Sequence, residues 1–192
     1  MPDLVLASSS RYRQMVLHKL GLPFEAASPD IDESPLPGEP PHALVRRLAI
    51  AKAQALAGRF PNHLIIGSDQ VACVEGRILG KPGSAETACG QLRLASGRSV
   101  ELLTGLCLLD SSSGAFDVTV EPFRVHFRTL TETQIERYVA REQPLDCAGS
   151  FKSEGLGIAL FEKLEGDDPN ALIGLPLIRL VQMLERVGQP VL

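Results

Sequence analysis

Hydrophobic and polar positions along this chain follow two rhythms, a short apolar run and a helical stripe, and they interleave from end to end. Leu64–Ile66 is an apolar run that meets Gly67, Ser68, Asp69 and Gln70. The stretch Leu64–Val71 predicts a buried strand that ends in small and polar residues. In α/β proteins ligand sites gather at such strand ends, so Asp69 is expected at the mouth of a cleft; turn capping is the alternative role for an aspartate there. Leu4–Ala7 predicts a first strand, followed by the hydroxyl-rich turn Ser8, Ser9, Ser10. Arg11–Leu20 predicts a helix with Tyr12, Met15, Val16, Leu17 and Leu20 on its apolar side and Gly21 as its stop.

Phe24–Pro41 is rich in proline and acid, including Asp32 and Glu33, and predicts a loop without regular structure. His42–Gly58 predicts a helix whose Leu48, Lys52 and Leu56 lie on one face. Lys52 either snorkels along its stem or points its ammonium into a cleft. Glu75 and Gly76 predict a tight turn, with Ile78 and Leu79 as the return strand. Gly80, Lys81 and Pro82 leave that strand; the G-R-I-L-G-K spacing is too short for a P-loop and no Ser or Thr follows the lysine. Ser84–Ser96 is helical by pattern, Val100–Leu109 and Asp117–Phe127 are strands around a turn at 111–114, and Thr131 with Gln134 forms a capping box that opens a helix through Arg141. Asp146–Gly157 is glycine-rich and polar, Ile158–Phe161 predicts a strand, and Asp167–Asn170 a loop. Pro176 opens a last helix to Arg186, with Leu177, Leu180, Val181 and Leu184 inward. Interleaved strands and helices with one hairpin predict a mixed, mainly α/β sheet in two lobes with a cleft between them.

Composition narrows the class. The 192 residues are 44% hydrophobic and 22% charged, enough for one stable domain over residues 1–192. A net charge of −4 argues against a dedicated nucleic-acid binder. The four cysteines (Cys73, Cys89, Cys107, Cys147) form no C-x-x-C pair and read as reduced thiols in a cytoplasmic protein. The start lacks the basic and apolar regions of a signal peptide, and no apolar run is long enough to span a bilayer, so no membrane partner is expected.

The candidate chemistry lies in the serines at the first helix start, Arg13, Glu33, Lys52, Asp69 and Lys81. A serine-rich turn before a helix is an anion seat or an ordinary cap, and Arg11 and Arg13 oppose the helix dipole unless an anion compensates them. Several cations with two carboxylates suit a polyphosphate and a divalent metal: the cations hold phosphate oxygens, and the carboxylates bind metal or take a proton from water.

Together LASSSRYR, the Asp32–Glu33 pair, the Lys52 helix, GSDQV, GKP and CAGSFKSEG resemble the Maf family of nucleotide pyrophosphatases, in order and spacing, over nearly the whole chain. The resemblance implies an elongated α/β fold with a central cleft, like inosine triphosphate pyrophosphatases. It also implies hydrolysis of a nucleoside triphosphate to monophosphate and pyrophosphate with Mg²⁺ or Mn²⁺, and admits a homodimer. By resemblance Asp69 is the proton acceptor, Ser8, Ser10, Arg13, Lys52 and Lys81 hold phosphates, and Glu33 with Asp69 serves the metal. Arg11 departs from the proline the family usually carries after the serines. Gln70 and SFKSEG resemble the 7-methyl-GTP branch, where Tyr12, Gln70 and Glu154 are the specificity residues. Glu154 suits the N1–H and 2-amino donors of guanine, Tyr12 can stack on the cationic methylated ring, and Gln70 can read an edge as donor and acceptor. A dTTP/UTP pyrophosphatase and a non-catalytic regulator of septum formation are the alternatives.

Overall fold

A computed structural model describes residues 3–192. Seven strands form one sheet: β1 (Asp3–Ala7), β2 (Phe24–Ala27), β3 (His63–Val74), β4 (Arg77–Leu79), β5 (Ser99–Asp110), β6 (Phe116–Phe127) and β7 (Phe161–Glu165). Their order is β2-β1-β3-β5-β6-β7, with β4 paired to β3. β1 pairs parallel with β2 and β3, and β3–β4 and β6–β7 are antiparallel, so the sheet is mixed. Five helices flank it: α1 (Arg11–Leu17), α2 (Pro41–Ala57), α3 (Ala85–Ala95), α4 (Glu132–Glu142) and α5 (Leu177–Arg186). No helix among the described residues is long and apolar enough to cross a membrane.

The chain divides into two compact units, matching the two lobes expected. The first gathers residues up to Asp69 with Thr104–Glu121 and Asp168–Leu192; the second gathers Gln70–Leu103 and Pro122–Asp167. In the first unit, strand alternation sorts side chains onto two faces. Leu4, Leu6, Leu64, Ile66, Leu106 and Leu108 bury one face with residues of α1 and α5. Val5, Ala7, Ile65, Cys107 and Leu109 bury the other with Ala49, Ala53 and Leu56 of α2. β1 and the first half of β3 are covered on both faces, which is why they read as continuous apolar runs and not as alternating ones. In the second unit, Phe127, Phe151 and Phe161 form a trio with centroids 5.2–5.5 Å apart and near-perpendicular planes. The Glu75–Gly76 turn has both residues at positive φ, 48° and 79°, the geometry of a tight hairpin.

Several expectations are corrected. β3 does not end at Gly67–Gln70 but runs through them to Val74, so Asp69 lies within a strand and not at its tip. Polar residues there are strand members because their side chains find partners on the two faces. Phe24–Ala27, expected as loop, is β2: it lies between Pro23 and Pro29, and nothing in FEAA itself stops parallel pairing with β1. The strand expected at Ile158–Phe161 is a 3-10 turn over Leu156–Leu160, and the strand follows as β7. β7 pairs with β6 alone and is half-exposed or exposed throughout, so its FEKLE sequence lacks the apolar density used to find strands. Finally, the buried residues of α5 are Leu177, Leu180, Met183 and Leu184, with Val181 only half-buried; Pro176 is the cap preceding that helix. In α1, Val16 and Leu17 are buried but Met15 is exposed; the α-helix ends at Leu17, and His18–Leu20 tightens into a 3-10 turn.

Candidate functional site

The site in the first unit is built by the close approach of α2 to the sheet. A Cβ on Gly67 would lie 2.0 Å from the Ala49 carbonyl oxygen, and one on Gly105 would lie 2.1 Å from that of Val45. Two glycines on adjacent strands thus open a groove in which α2 lies against backbone. Alternation puts Asp69 on the same face as Gly67, two residues on. Lys52 is three residues beyond Ala49 on α2. Lys52 Nζ donates to Asp69 Oδ1 at 2.7 Å, and both residues are buried, 5% and 7% exposed. The lysine therefore does not snorkel.

The same ammonium lies 2.9 Å from Glu33 Oε1. Lys52 thus bridges two carboxylates that stand thirty-six positions apart in the chain (33 to 69). Arg13 lies close enough for both to act on it: burial lowers the pKa of its guanidinium, while the charges of Asp69 and Glu33 raise it. Its Nε donates to the Gly174 carbonyl at 2.8 Å. The protein itself therefore supplies part of the compensation that this first-turn cation needs.

Ser68 points to the opposite face from Asp69. It is fully buried, and its Oγ is 2.9 Å from the carbonyl oxygens of both Gly105 and Gly174. Gly174 O is thus shared by Ser68 and Arg13, tying β3 and α1 to the loop before α5. That loop is pinned by Asp168, whose carboxylate accepts from the amides of Asn170 (2.8 Å) and Ile178 (2.7 Å). The serines after β1 shape their own turn. Ser8 Oγ accepts from the Ser10 amide at 3.1 Å, and Ser10 caps α1 by accepting from the Arg13 amide at 3.4 Å.

The remaining sequence-derived candidates are distributed differently. Tyr12 is half-buried, with the Arg11 guanidinium 4.9 Å from its ring centroid and bonded to its hydroxyl at 2.9 Å. Gln70 (half-buried), Lys81 (exposed) and Glu154 (exposed) belong to the second unit. Glu154 accepts from its neighbour Ser153 Oγ at 3.3 Å. Asp32 does not join Lys52 among the bonds of the first unit; its carboxylate accepts from the Ser34 amide at 2.9 Å and is held below its usual pKa by Ser34. Sequence reasoning gave no role to Ser68 or Gly174; the available signal was a serine beside the key aspartate.

Glu33 and Asp69 offer two hard oxygen donors on either side of the Lys52 ammonium. No group of three or more His, Cys, Asp or Glu among the described residues is arranged to hold a metal. Two carboxylates suit a divalent cation that arrives with a phosphate ligand, since such ions accept one or two carboxylates and take the rest from water and phosphate. The pair does not resemble a closed protein cage.

The family model for Maf-like protein matches residues 3–187. The chain belongs to the Maf family. A relative from Pseudomonas aeruginosa named 7-methyl-GTP pyrophosphatase is 62% identical over 188 residues, covering 98% of each chain. One of the same name from Nitrosococcus oceani is 60% identical over 191 residues, covering 100% of this chain and 96% of the relative. Among solved structures, the Staphylococcus aureus Ham1 protein matches with a TM-score of 0.46 and 17% identity, covering 66% of this chain and 72% of that one. In this Maf chain, Lys52, Asp69, Glu33 and Arg13 form one charged cluster in the first unit.

Proposed function

We propose that this Maf protein is a nucleoside triphosphate pyrophosphatase that hydrolyses 7-methyl-GTP to 7-methyl-GMP and pyrophosphate. The observation that carries the reading is the buried Lys52 bridging Asp69 and Glu33, in a chain about 60% identical over its whole length to proteins bearing that activity's name. Burying a lysine and an aspartate against each other is a costly way to build a core, and hydrophobic residues would serve stability as well or better. Such a pair is better explained by chemistry.

In this reading a water oxygen bonds to the α-phosphorus, and the bond from that phosphorus to the bridging oxygen breaks, releasing pyrophosphate. Asp69 accepts the proton from the water. Lys52 orients the Asp69 carboxylate and, with Arg13 and Lys81, holds phosphate oxygens; the Ser8–Ser10 turn contributes contacts at the start of α1. Glu33 and Asp69 would hold a divalent cation, which would supply charge neutralisation on the triphosphate. Tyr12, Gln70 and Glu154 read the base. Glu154 accepts from the guanine N1–H and 2-amino group, and Tyr12 offers a ring face to the cationic methylated base.

The test is pyrophosphate release from a nucleotide panel with Mg²⁺ or Mn²⁺. We expect 7-methyl-GTP to be turned over fastest, and Glu154→Ala to lose that substrate selectively. No turnover of any triphosphate overturns the pyrophosphatase reading. Preference for dTTP or UTP moves the assignment to the pyrimidine branch.

A further inference from the structure

Glu33 sits in the proline-rich segment 28–40, which has neither helix nor strand. Its side chain is about half exposed, and its partner Lys52 is buried. An ion pair with one half-exposed partner contributes less than the conformational entropy lost on ordering the several residues of a loop. The Glu33–Lys52 contact therefore cannot hold the segment in place, and something else must.

That something is a guanidinium fork. Arg47, on α2, donates from Nε to Glu39 Oε1 at 2.6 Å and from Nη2 to Glu39 Oε2 at 2.7 Å. The same Nη2 donates to the Ser34 carbonyl at 3.1 Å. Glu39 Oε2 also accepts from the Leu36 amide at 3.0 Å, and the Ser34 amide donates to Asp32 at 2.9 Å. Glu33 is thus flanked by a residue tied to α2 on one side and by that residue's Asx turn on the other. Arg47 and Lys52 stand five residues apart on one helix, about 7.5 Å of axial rise, so α2 carries both the tether and the target. A planar fork fixes orientation as well as distance, which a lysine in place of Arg47 cannot do.

We propose that Arg47 and Glu39 are positioning residues that hold the 28–40 segment against α2 so that Glu33 meets Lys52 beside Asp69. Neither touches substrate; both act through Glu33. The proposal's catalytic consequence rests on the reading of Glu33 as part of the site.

The test combines a double-mutant cycle with hydrogen exchange on the full-length protein. Arg47→Ala and Glu39→Gln should each lower kcat/KM for 7-methyl-GTP by about as much as Glu33→Gln, roughly tenfold or more, and the Arg47→Ala/Glu33→Gln double variant should be no worse than Glu33→Gln alone. Arg47→Lys should fall between wild type and Arg47→Ala. The amides of Ser34 and Leu36 should exchange at least about tenfold faster in Arg47→Ala and Glu39→Gln, while those of α2 stay protected. Multiplicative losses in the double variant, or unchanged exchange of Ser34 and Leu36, overturn the proposal. If wild type turns over no triphosphate, the proposed function fails, and the exchange measurement alone decides whether the fork holds the segment.

Discussion

At the residue scale the decisive side chain is Lys52. Its ammonium is nearly fully buried and satisfies two carboxylates at 2.7 and 2.9 Å. Removing one member of a buried pair leaves the other uncompensated, typically at about 3–5 kcal/mol. Lys52→Ala should therefore lower stability by a few kcal/mol as well as activity, which thermal melts and turnover measured side by side will show. Asp69→Asn keeps the shape and an acceptor for Lys52, whose charge Glu33 still faces, so it should cost less stability than Lys52→Ala but reduce turnover by about 10²-fold or more. Near wild-type turnover in that variant would remove Asp69 from the role of proton acceptor. Glu39 gives a pH prediction of definite sign. The Arg47 hydrogen bonds hold its carboxyl at about 2, below its usual 4.5. Its stabilising contribution is present above about 4.5 and is lost as the pH falls through about 2. The Ser34 and Leu36 amides should accordingly stay protected from exchange at pH 4, and exposure of both at that pH would contradict the fork.

At the element scale the governing contact is α2 against β3 and β5. Neither glycine of the groove can be replaced without moving a helix, because the obstacle is backbone carbonyl and not a flexible side chain. Gly67→Ala should destabilise the fold by about 1–3 kcal/mol or more. It should also lower turnover beyond what the stability loss explains, since the displaced helix carries Lys52 away from Asp69. Calorimetry with kinetics at a temperature where the variant is fully folded separates the two effects. Much of the element plan was legible in the chain. Parallel strands buried on both faces announce themselves as dense apolar runs, and Thr131 with Gln134 forms the capping box that its spacing predicts. What escaped was the opposite kind of strand. β2 and β7 lie at the two ends of the sheet order and carry charged or small residues, so their pairing is set by the neighbouring strand's free backbone groups and not by their own hydrophobicity. The GSDQ stretch misled in the other direction, because polar residues in a strand look like its end until their partners on each face are seen.

At the scale of the whole molecule, the chain divides into two compact units and carries its four cysteines as free thiols. Burial pushes the thiols of Cys73 up to about 11 and of Cys107 and Cys147 up to about 12. Thiolate is the reactive form, so these three should resist maleimide labelling in the native protein near neutral pH and react once it is unfolded. Mass spectrometry of the labelled peptides, native against denatured, checks this; fast native labelling of Cys107 would mean that the first unit opens readily. Membership in the Maf family, the mixed α/β class and the identity of the charged residues were all written in the chain, because residue type, order and spacing are local properties. The convergence of Lys52, Asp69, Glu33 and Arg13 was not. It depends on Gly67 and Gly105 admitting α2 to the sheet, on strand alternation turning Asp69 to that face, and on Arg47 folding a proline-rich segment back along the helix. Those are contacts between residues distant in sequence, and no local pattern encodes them.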